Sequence, residues 1–574
     1  MKNTLQNKTK TDKRRYIPKD FSISDWSSLE PFFKSLLEEQ LNSLTKLEAF
    51  LFKMDELEAI ISEDIAWRYI RMTCDTQNET FTKSYQYFIA EILPHLSSYE
   101  DKINRKIVGN PYFNQLSKER YGTYTRALKR QIEMFREENI PLITDQQATA
   151  QKYSALIGAM TVEINGQTYT LQQAGKLLEE QDRKLRKQSW EKVQARRLED
   201  KKKINELIDK LIATRTQIAH NAGYESYTQF KFDQLGRFDY TLKDTHTFHD
   251  AIEKVLKPVY IQFLKERMAK LGQTELRPWD LQIDIHGDNP LNPFKDSREL
   301  IEKTIAILAK LKPELGGMIR TMDKEGFLDL ESRIGKAPGG YNYPLSETGI
   351  PFIFMNAAGT QSDVTTMLHE SGHAVHSFLV QDIRLNSLKH TPSEVAELAS
   401  MTMELLSLDF YSEFYDNADE EKRAKKEQIS RCLMVLSWIA AIDAFQQWLY
   451  DNPKHTHEER EKVWVSIYKR FHGDLVNWEG YEESLHNLWQ KQGHIFEVPF
   501  YYIEYGIAQL GAIAIWRNYQ TNPSKGLAQY ISALKLGYTE TIPVIYEAGG
   551  IKFDFSETYV KELVAYCMEQ YINL

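Results

Sequence analysis

Apolar residues recur at i, i+3, i+4 and i+7 along most of this 574-residue chain, the spacing that lines one face of an α-helix. Residues 26–61, 172–222 and 300–311 carry the pattern and predict amphipathic helices. Alternation with period two is rare. Residues 162–169 read as a hairpin around Asn165 and Gly166, because the favoured two-residue turn needs positive φ at both central positions. A second β region spans about 339–356, where residues 339–343 and 351–355 flank a polar turn. The pattern therefore predicts a mainly α fold with a small β-sheet. Residues 286–292, rich in Pro, Asn and Asp, read as a loop, and no internal repeat is visible.

The residues just after the second β region add chemistry to this picture. His369-Glu370-Ser371-Gly372-His373 is an H-E-x-x-H sequence at the start of an unbroken helical stretch, with Gln361, Ser362 and Asp363 as capping side chains in front. Positions i and i+4 lie about 40° apart around a helix. Two imidazoles so placed can grip one zinc ion, and the glutamate between them can act on a water there as general base. With composition treated as independent, chance yields such a sequence in about 3% of chains like this one.

Composition narrows the alternatives. A net charge of -9 argues against a nucleic-acid partner. The basic runs at 201–203 and 422–426 are interleaved with acids and read as solvated helix faces. The basic N-terminus has no apolar segment of the secretory kind, and the apolar stretch 506–516 is too short to span a bilayer. Three distant cysteines, Cys74, Cys432 and Cys567, suggest reduced core thiols in a cytoplasmic protein. We divide the chain into a disordered basic tail (1–20), an N-terminal helical lobe (21–190) and a catalytic domain (191–574).

A hydrolytic zinc site needs a third protein ligand. His376 shares the stripe at i+7 from His369. Seven residues rise about 10.5 Å, however, while Zn–N bonds are about 2.1 Å, so one straight helix cannot bring both to one ion. His376 reads instead as a group behind the ligands or facing substrate, or as a core histidine. On the next helix, residues 391–404, Thr391 as N-cap, Pro392 at N1 and Glu394 at N3 form a capping box that accounts for Glu394. Glu397 and Glu404 share a face among Val395, Ala396, Leu398, Ala399, Met401 and Leu405. A carboxylate buried there is costly unless a charge compensates it. Glu397 is assigned as third ligand. Glu404 is read as the carboxylate that orients an imidazole or a nearby tyrosine, with a plain salt bridge as its alternative.

With Glu397 placed 28 residues after His369, in Val395-Ala396-Glu397-Leu398-Ala399-Ser400, the chain resembles the family of thimet oligopeptidase and oligoendopeptidase F, the latter branch more closely. Gly340-Tyr341, Pro351-Phe352-Ile353-Phe354-Met355-Asn356, Pro499-Phe500-Tyr501-Tyr502-Ile503-Glu504-Tyr505 and Ala548-Gly549-Gly550-Ile551 extend the resemblance from about Tyr16 to the end. It implies a large helical, zincin-like (gluzincin) peptidase with a deep substrate channel. It implies one zinc ion on His369, His373 and Glu397, with Glu370 as base. The expected activity is internal cleavage of short unstructured peptides, with no nucleic-acid or membrane partner and the oligomeric state open.

Such enzymes also use a late histidine and tyrosines on the substrate and the oxyanion. The candidates here are His494, Tyr502 and Tyr505 as catalytic groups, with Tyr501, Gly340 and Tyr341 as substrate contacts. Tyr502 and Tyr505 are i and i+3, so their hydroxyls converge if the segment is helical. The glycine-rich loop of thimet oligopeptidase is reduced to Gly493. The β region before the motif either adds an extended peptide as a further strand or simply covers the core. Competing readings are a zinc carboxypeptidase or dipeptidyl carboxypeptidase on the same scaffold, and a non-catalytic peptide-binding protein. The intact Glu370 argues against the last.

Overall fold

The computed structural model describes residues 14–287, 290–333, 335–337 and 339–574. It is mainly α-helical with two small sheets, the class that the patterning predicts. The long helical stretches break where the chain supplies a stop. Residues 26–61 divide into α1 (Trp26–Glu38) and α2 (Leu44–Cys74), because Glu39 turns extended and Ser43 caps the second helix through the Lys46 N–H. Residues 172–222 divide into a short turn from Leu171, α3 (Arg183–Glu199) and α4 (Lys201–Asn221). The expected domain boundary at residue 190 falls inside α3, where Trp190 is buried against Trp279 and Trp478. Residues 300–311 lie within one helix, Ser297–Leu311.

Of the tail expected to be disordered, residues 1–13 lie outside the described residues. From Arg14 onward the chain is tied down, contrary to that expectation. Arg14 pairs with Glu347, and the N–H groups of Arg15, Tyr16 and Ile17 converge on the Glu56 carboxylate. The Ile17 side chain is buried. Residues 286–287 and 290–292 of the expected loop carry no regular structure, and 288–289 lie outside the described residues. Cys74, Cys432 and Cys567 are buried and unpaired.

The hairpin pairs β1 (Thr161–Ile164) with β2 (Gln167–Thr170), and Asn165 and Gly166 take φ of 53° and 79° as that turn demands. The second sheet contains a strand the sequence did not reveal. Its order is β3 (Leu328–Glu331), β5 (Phe352–Ala357), β4 (Tyr341–Tyr343), with β3 parallel and β4 antiparallel to β5. The central strand buries Phe352, Ile353, Phe354 and Met355, both faces of its pleat. It leads directly into α5 (Gln361–Leu379). The N-cap of α5 is Thr360, one residue ahead of the capping side chains expected, with Asp363 completing the box.

Behind α5 packs α6 (Ser393–Leu406), and α7 (Ala418–Asp451) and α8 (Tyr502–Thr521) pack on each other, with α8 against α6, all within the largest apolar core among the described residues. Helix α7 is long and apolar enough to cross a membrane, and 72% of its most apolar window is buried within the fold.

Candidate metal centre and active site

The H-E-x-x-H helix meets α6 at a glycine. A Cβ on Gly372 would stand 2.6 Å from both the Ala399 carbonyl oxygen and the Ser400 Cα. The two helices therefore approach backbone to backbone between the two histidines, which carries Glu397 to the imidazoles. Glu397 Oε2 lies 3.2 Å from His369 Nε2 and 3.6 Å from His373 Nε2, and one ligand atom from each residue falls within 4.8 Å of the other two. Bonds of about 2.1 Å place donors roughly 3.4 Å apart around a tetrahedral ion, so the trio fits zinc. The imidazole planes cross at 82°, which lets both lone pairs converge.

A second layer fixes these groups. Glu404 Oε1 lies 2.7 Å from His369 Nδ1, so in the neutral ring the proton sits on Nδ1 and the lone pair on Nε2. Gln428 on α7 donates to the other Glu404 oxygen at 2.6 Å. Ser400 Oγ donates to Glu397 Oε2 at 3.0 Å, and the Tyr501 hydroxyl donates to Glu397 Oε1 at 2.8 Å. Burial would keep His369 neutral, but its hydrogen bonds to Glu397 and Glu404 hold it well above the ordinary histidine range. Burial pushes His373 down to about 4. Glu397 resists its own burial and is drawn down to about 2 by the two imidazoles and Tyr501. Glu370, Glu397 and Glu404 repel one another in this buried spot, and a nearby cation offsets that repulsion.

Glu370 faces the same space. Its Oε2 is buried without a partner, and burial pushes the carboxyl up to about 7. The edge strand β4 lies alongside, where the Asn342 side chain donates to the Glu370 carbonyl at 3.3 Å. A cavity of about 400 Å³ is lined by Gly340, Tyr341, His369, Glu370, Tyr501 and Tyr505 among others. A larger cavity of about 910 Å³ opens at the N-terminal end of α5, beside Gln361, Ser362, Trp190 and Trp438.

Two of the late residues reach the cavity and two do not. Tyr501 and Tyr505, at i and i+4, both line the cavity, whereas Tyr502 and His494 do not. The Tyr502 and Tyr505 rings are neighbours at 5.5 Å, but the Tyr502 hydroxyl donates to Gln492 Oε1 at 3.0 Å. The His494 ring packs against all three tyrosines, with Nδ1 2.8 Å from Gln492 Nε2, and burial lowers it to about 4. Burial holds Tyr501 and Tyr505 well above the usual phenol range, so both keep the proton they can donate. No hydrogen bond to another described residue engages the Tyr505 hydroxyl.

Of three further residues, Tyr341 and His376 sit at the cavity, and only Glu394 departs from its expected role. Tyr341 lines the cavity with its ring stacked on Phe354, but its hydroxyl points away to Thr73 at 2.6 Å. His376 is buried among the residues of the cavity wall, lowered to about 3 by burial, with Nε2 unpartnered. Glu394 makes no capping box: Pro392 is the N-cap of α6, and Glu394 is buried, accepting from the Tyr240 hydroxyl at 2.6 Å. Sequence reasoning missed Gln428, Ser400 and Asn342. Gln428 acts across helices and Asn342 from a strand edge, so neither carries a local signal, whereas Ser400 stands three residues after Glu397 on the same helix, a spacing visible in the sequence.

Over residues 176–565 the chain matches the model of Peptidase family M3, and over residues 19–135 that of the Peptidase M3 N-terminal domain. An oligoendopeptidase F homolog of Borreliella burgdorferi is 20% identical over 534 residues, 88% of this chain and 85% of that protein. The plasmid oligoendopeptidase F of Lactococcus lactis subsp. cremoris is 26% identical over 184 residues, 32% of this chain and 30% of that one. PZ peptidase A, solved with an inhibitor, superposes with a TM-score of 0.91 at 24% identity, over 98% of this chain and 99% of its own. Oligoendopeptidase F from Enterococcus faecium does so with a TM-score of 0.65 at 16% identity, over 96% of each.

Proposed function

Because this chain belongs to peptidase family M3, in its oligoendopeptidase F branch, we propose that it is a zinc-dependent endopeptidase acting on short, unstructured peptides. The observation that carries the reading is the convergence of His369, His373 and Glu397 within 4.8 Å beside an unpartnered buried Glu370. His369, His373 and Glu397 hold the metal, and Glu404 sets the tautomer of His369. Zinc bound there supplies Lewis acidity at neutral pH.

The chain's own groups do the rest. Glu370 takes a proton from the attacking water and returns it to the leaving amine. The Tyr505 hydroxyl, with no partner among the described residues, donates to the oxyanion as charge develops. The edge strand β4 offers its outer side to an extended peptide, which then lies along the cavity that Glu370 and Tyr505 share.

The test is a peptide blocked at both ends. Internal cleavage that stops with chelator and returns with added zinc is the expected result. Cleavage only of peptides with a free C-terminus selects a carboxypeptidase, and no cleavage with zinc bound selects a non-catalytic binder.

A further inference from the structure

Among the described residues, only Asn165 and Phe500 combine a side chain with positive φ. Asn165 sits in the hairpin turn that favours it. Phe500, at φ 67°, is a bulky, fully buried residue immediately before Tyr501. A left-handed backbone is sterically unfavourable for such a residue and persists only where the surroundings over-determine it. Both peptide groups of Phe500 are gripped by buried side chains. Its N–H donates to Gln446 Oε1 at 2.8 Å, and its carbonyl accepts from the Arg237 guanidinium.

Arg237 does more than hold one carbonyl. The same Nη2 donates to Glu504 Oε1 at 2.6 Å, and Nε lies 3.6 Å from Glu394 Oε1. All three side chains are buried, at 4%, 2% and 2% exposure for Arg237, Glu504 and Glu394. Glu394 precedes Glu397 by one turn of α6. Glu504 lies between Tyr501 and Tyr505 in sequence, on α8. One buried cation thus ties the helix of the assigned third ligand to the helix of the tyrosines. A second buried arginine, Arg215, donates to the carbonyls of Ile495 and Phe496 and steadies the approach to this turn.

We propose that Arg237 is a positioning residue: it locks Phe500 in its left-handed conformation and so sets the Tyr501 hydroxyl against Glu397. Two apolar side chains could hold α6 and α8 together equally well. Only a donor at this point fixes the Phe500 carbonyl, and only a cation balances the two carboxylates that flank the site. The inference rests on the function proposed above and adds what holds its parts in register.

The test uses the full-length zinc-loaded protein with R237M, R237K and Q446M, and R237M combined with Y501F. Turnover of a quenched-fluorescent peptide, zinc affinity by chelator competition and the visible spectrum of the cobalt-substituted protein are read together. R237M is expected to keep one zinc per chain and a near-normal KM, lose kcat by roughly 100-fold, and shift the cobalt spectrum as Glu397 loses its partner. R237K retains the charge and falls between. Q446M, which leaves the ion pairs intact and frees only the Phe500 N–H, falls in the same direction.

In the Y501F background R237M costs only a few-fold more, because the two act through one contact. If R237M does not fold, R237K and Q446M decide. Normal kcat per zinc with an unchanged cobalt spectrum, or losses that simply multiply between R237M and Y501F, overturns the proposal. A wild-type chain that binds no zinc or cuts no peptide overturns the proposed function itself, so the two failures are separable.

Discussion

The Tyr501 hydroxyl donates to Glu397 Oε1 at 2.8 Å, while Glu397 Oε2 faces the two histidines. One carboxylate is thus divided between a phenol and the ligand trio, which fixes its rotation. Tyr501→Phe is expected to weaken zinc binding on the order of 10-fold while the fold is kept, as loss of a ligand's supporting hydrogen bond generally does. Competition with a chromogenic chelator measures it. Unchanged affinity would mean that Ser400 alone orients Glu397.

Glu370 has no partner for Oε2 and stands outside the trio. Glu370→Gln preserves shape and removes the base. Zinc content should match the parent, and peptide turnover should fall by about 10²- to 10⁴-fold. Near-normal hydrolysis by this variant contradicts the assigned role.

The two tyrosines at the start of α8 should separate cleanly. Tyr505 lines the cavity, and Tyr502 is committed to Gln492. Tyr505→Phe is expected to lose roughly 10² in kcat with KM little changed, the usual loss for an oxyanion donor. Tyr502→Phe should cost far less. Equal losses in a side-by-side steady-state comparison would point to a structural role for both.

Gly372 admits no side chain, since a Cβ would sit 2.6 Å from backbone atoms of Ala399 and Ser400. Gly372→Ala must push α5 and α6 apart, at a cost of about 1–3 kcal/mol, and it moves Glu397 away from the histidines. A lower melting temperature together with weaker zinc binding is the expected pair of results. A lower melting temperature alone would show that the site adjusts independently of the helix contact.

Asp55 on α2 accepts from the N–H groups of Asn386 and Ser387, and Asn386 lines the catalytic cavity. Burial raises its carboxyl from 3.8 to about 6, although both N–H donors pull the other way. The folded chain therefore holds this proton more tightly than the unfolded one. The contribution to stability is complete below about pH 4 and is lost as pH rises through about 6. Asp55→Asn cannot ionise, so its advantage over the parent should grow from pH 4 to pH 7, by at most ~3 kcal/mol. Urea unfolding at the two pH values measures this, and a pH-independent difference refutes it.

Local signals were legible where the partners lie close in sequence. The Asn165–Gly166 turn, the period of the helices and the spacing of His369, Glu370 and His373 depend on a few neighbouring residues. The breaks at Glu39 and near Asp182 were hidden, because amphipathic spacing continues across them while the backbone turns. Strand β3 was hidden too. Leu328-Asp329-Leu330-Glu331 alternates apolar and acidic residues, but over only four positions, and its parallel partner lies more than twenty residues later.

By itself the sequence determined how His369, Glu370 and His373 stand to one another, since a single helix fixes their relative positions, and it singled out Glu397 through the cost of burying an uncompensated carboxylate. Tertiary structure decided the rest. Which tyrosine reaches Glu397, that Glu394 pairs with Tyr240 and Arg237 instead of capping its helix, and that Gln428 holds Glu404 all follow from how α5, α6, α7 and α8 pack. Periodicity states which face of a helix is apolar. It does not state which neighbour that face will meet, and the hydrogen bonds that orient this site are made across those meetings.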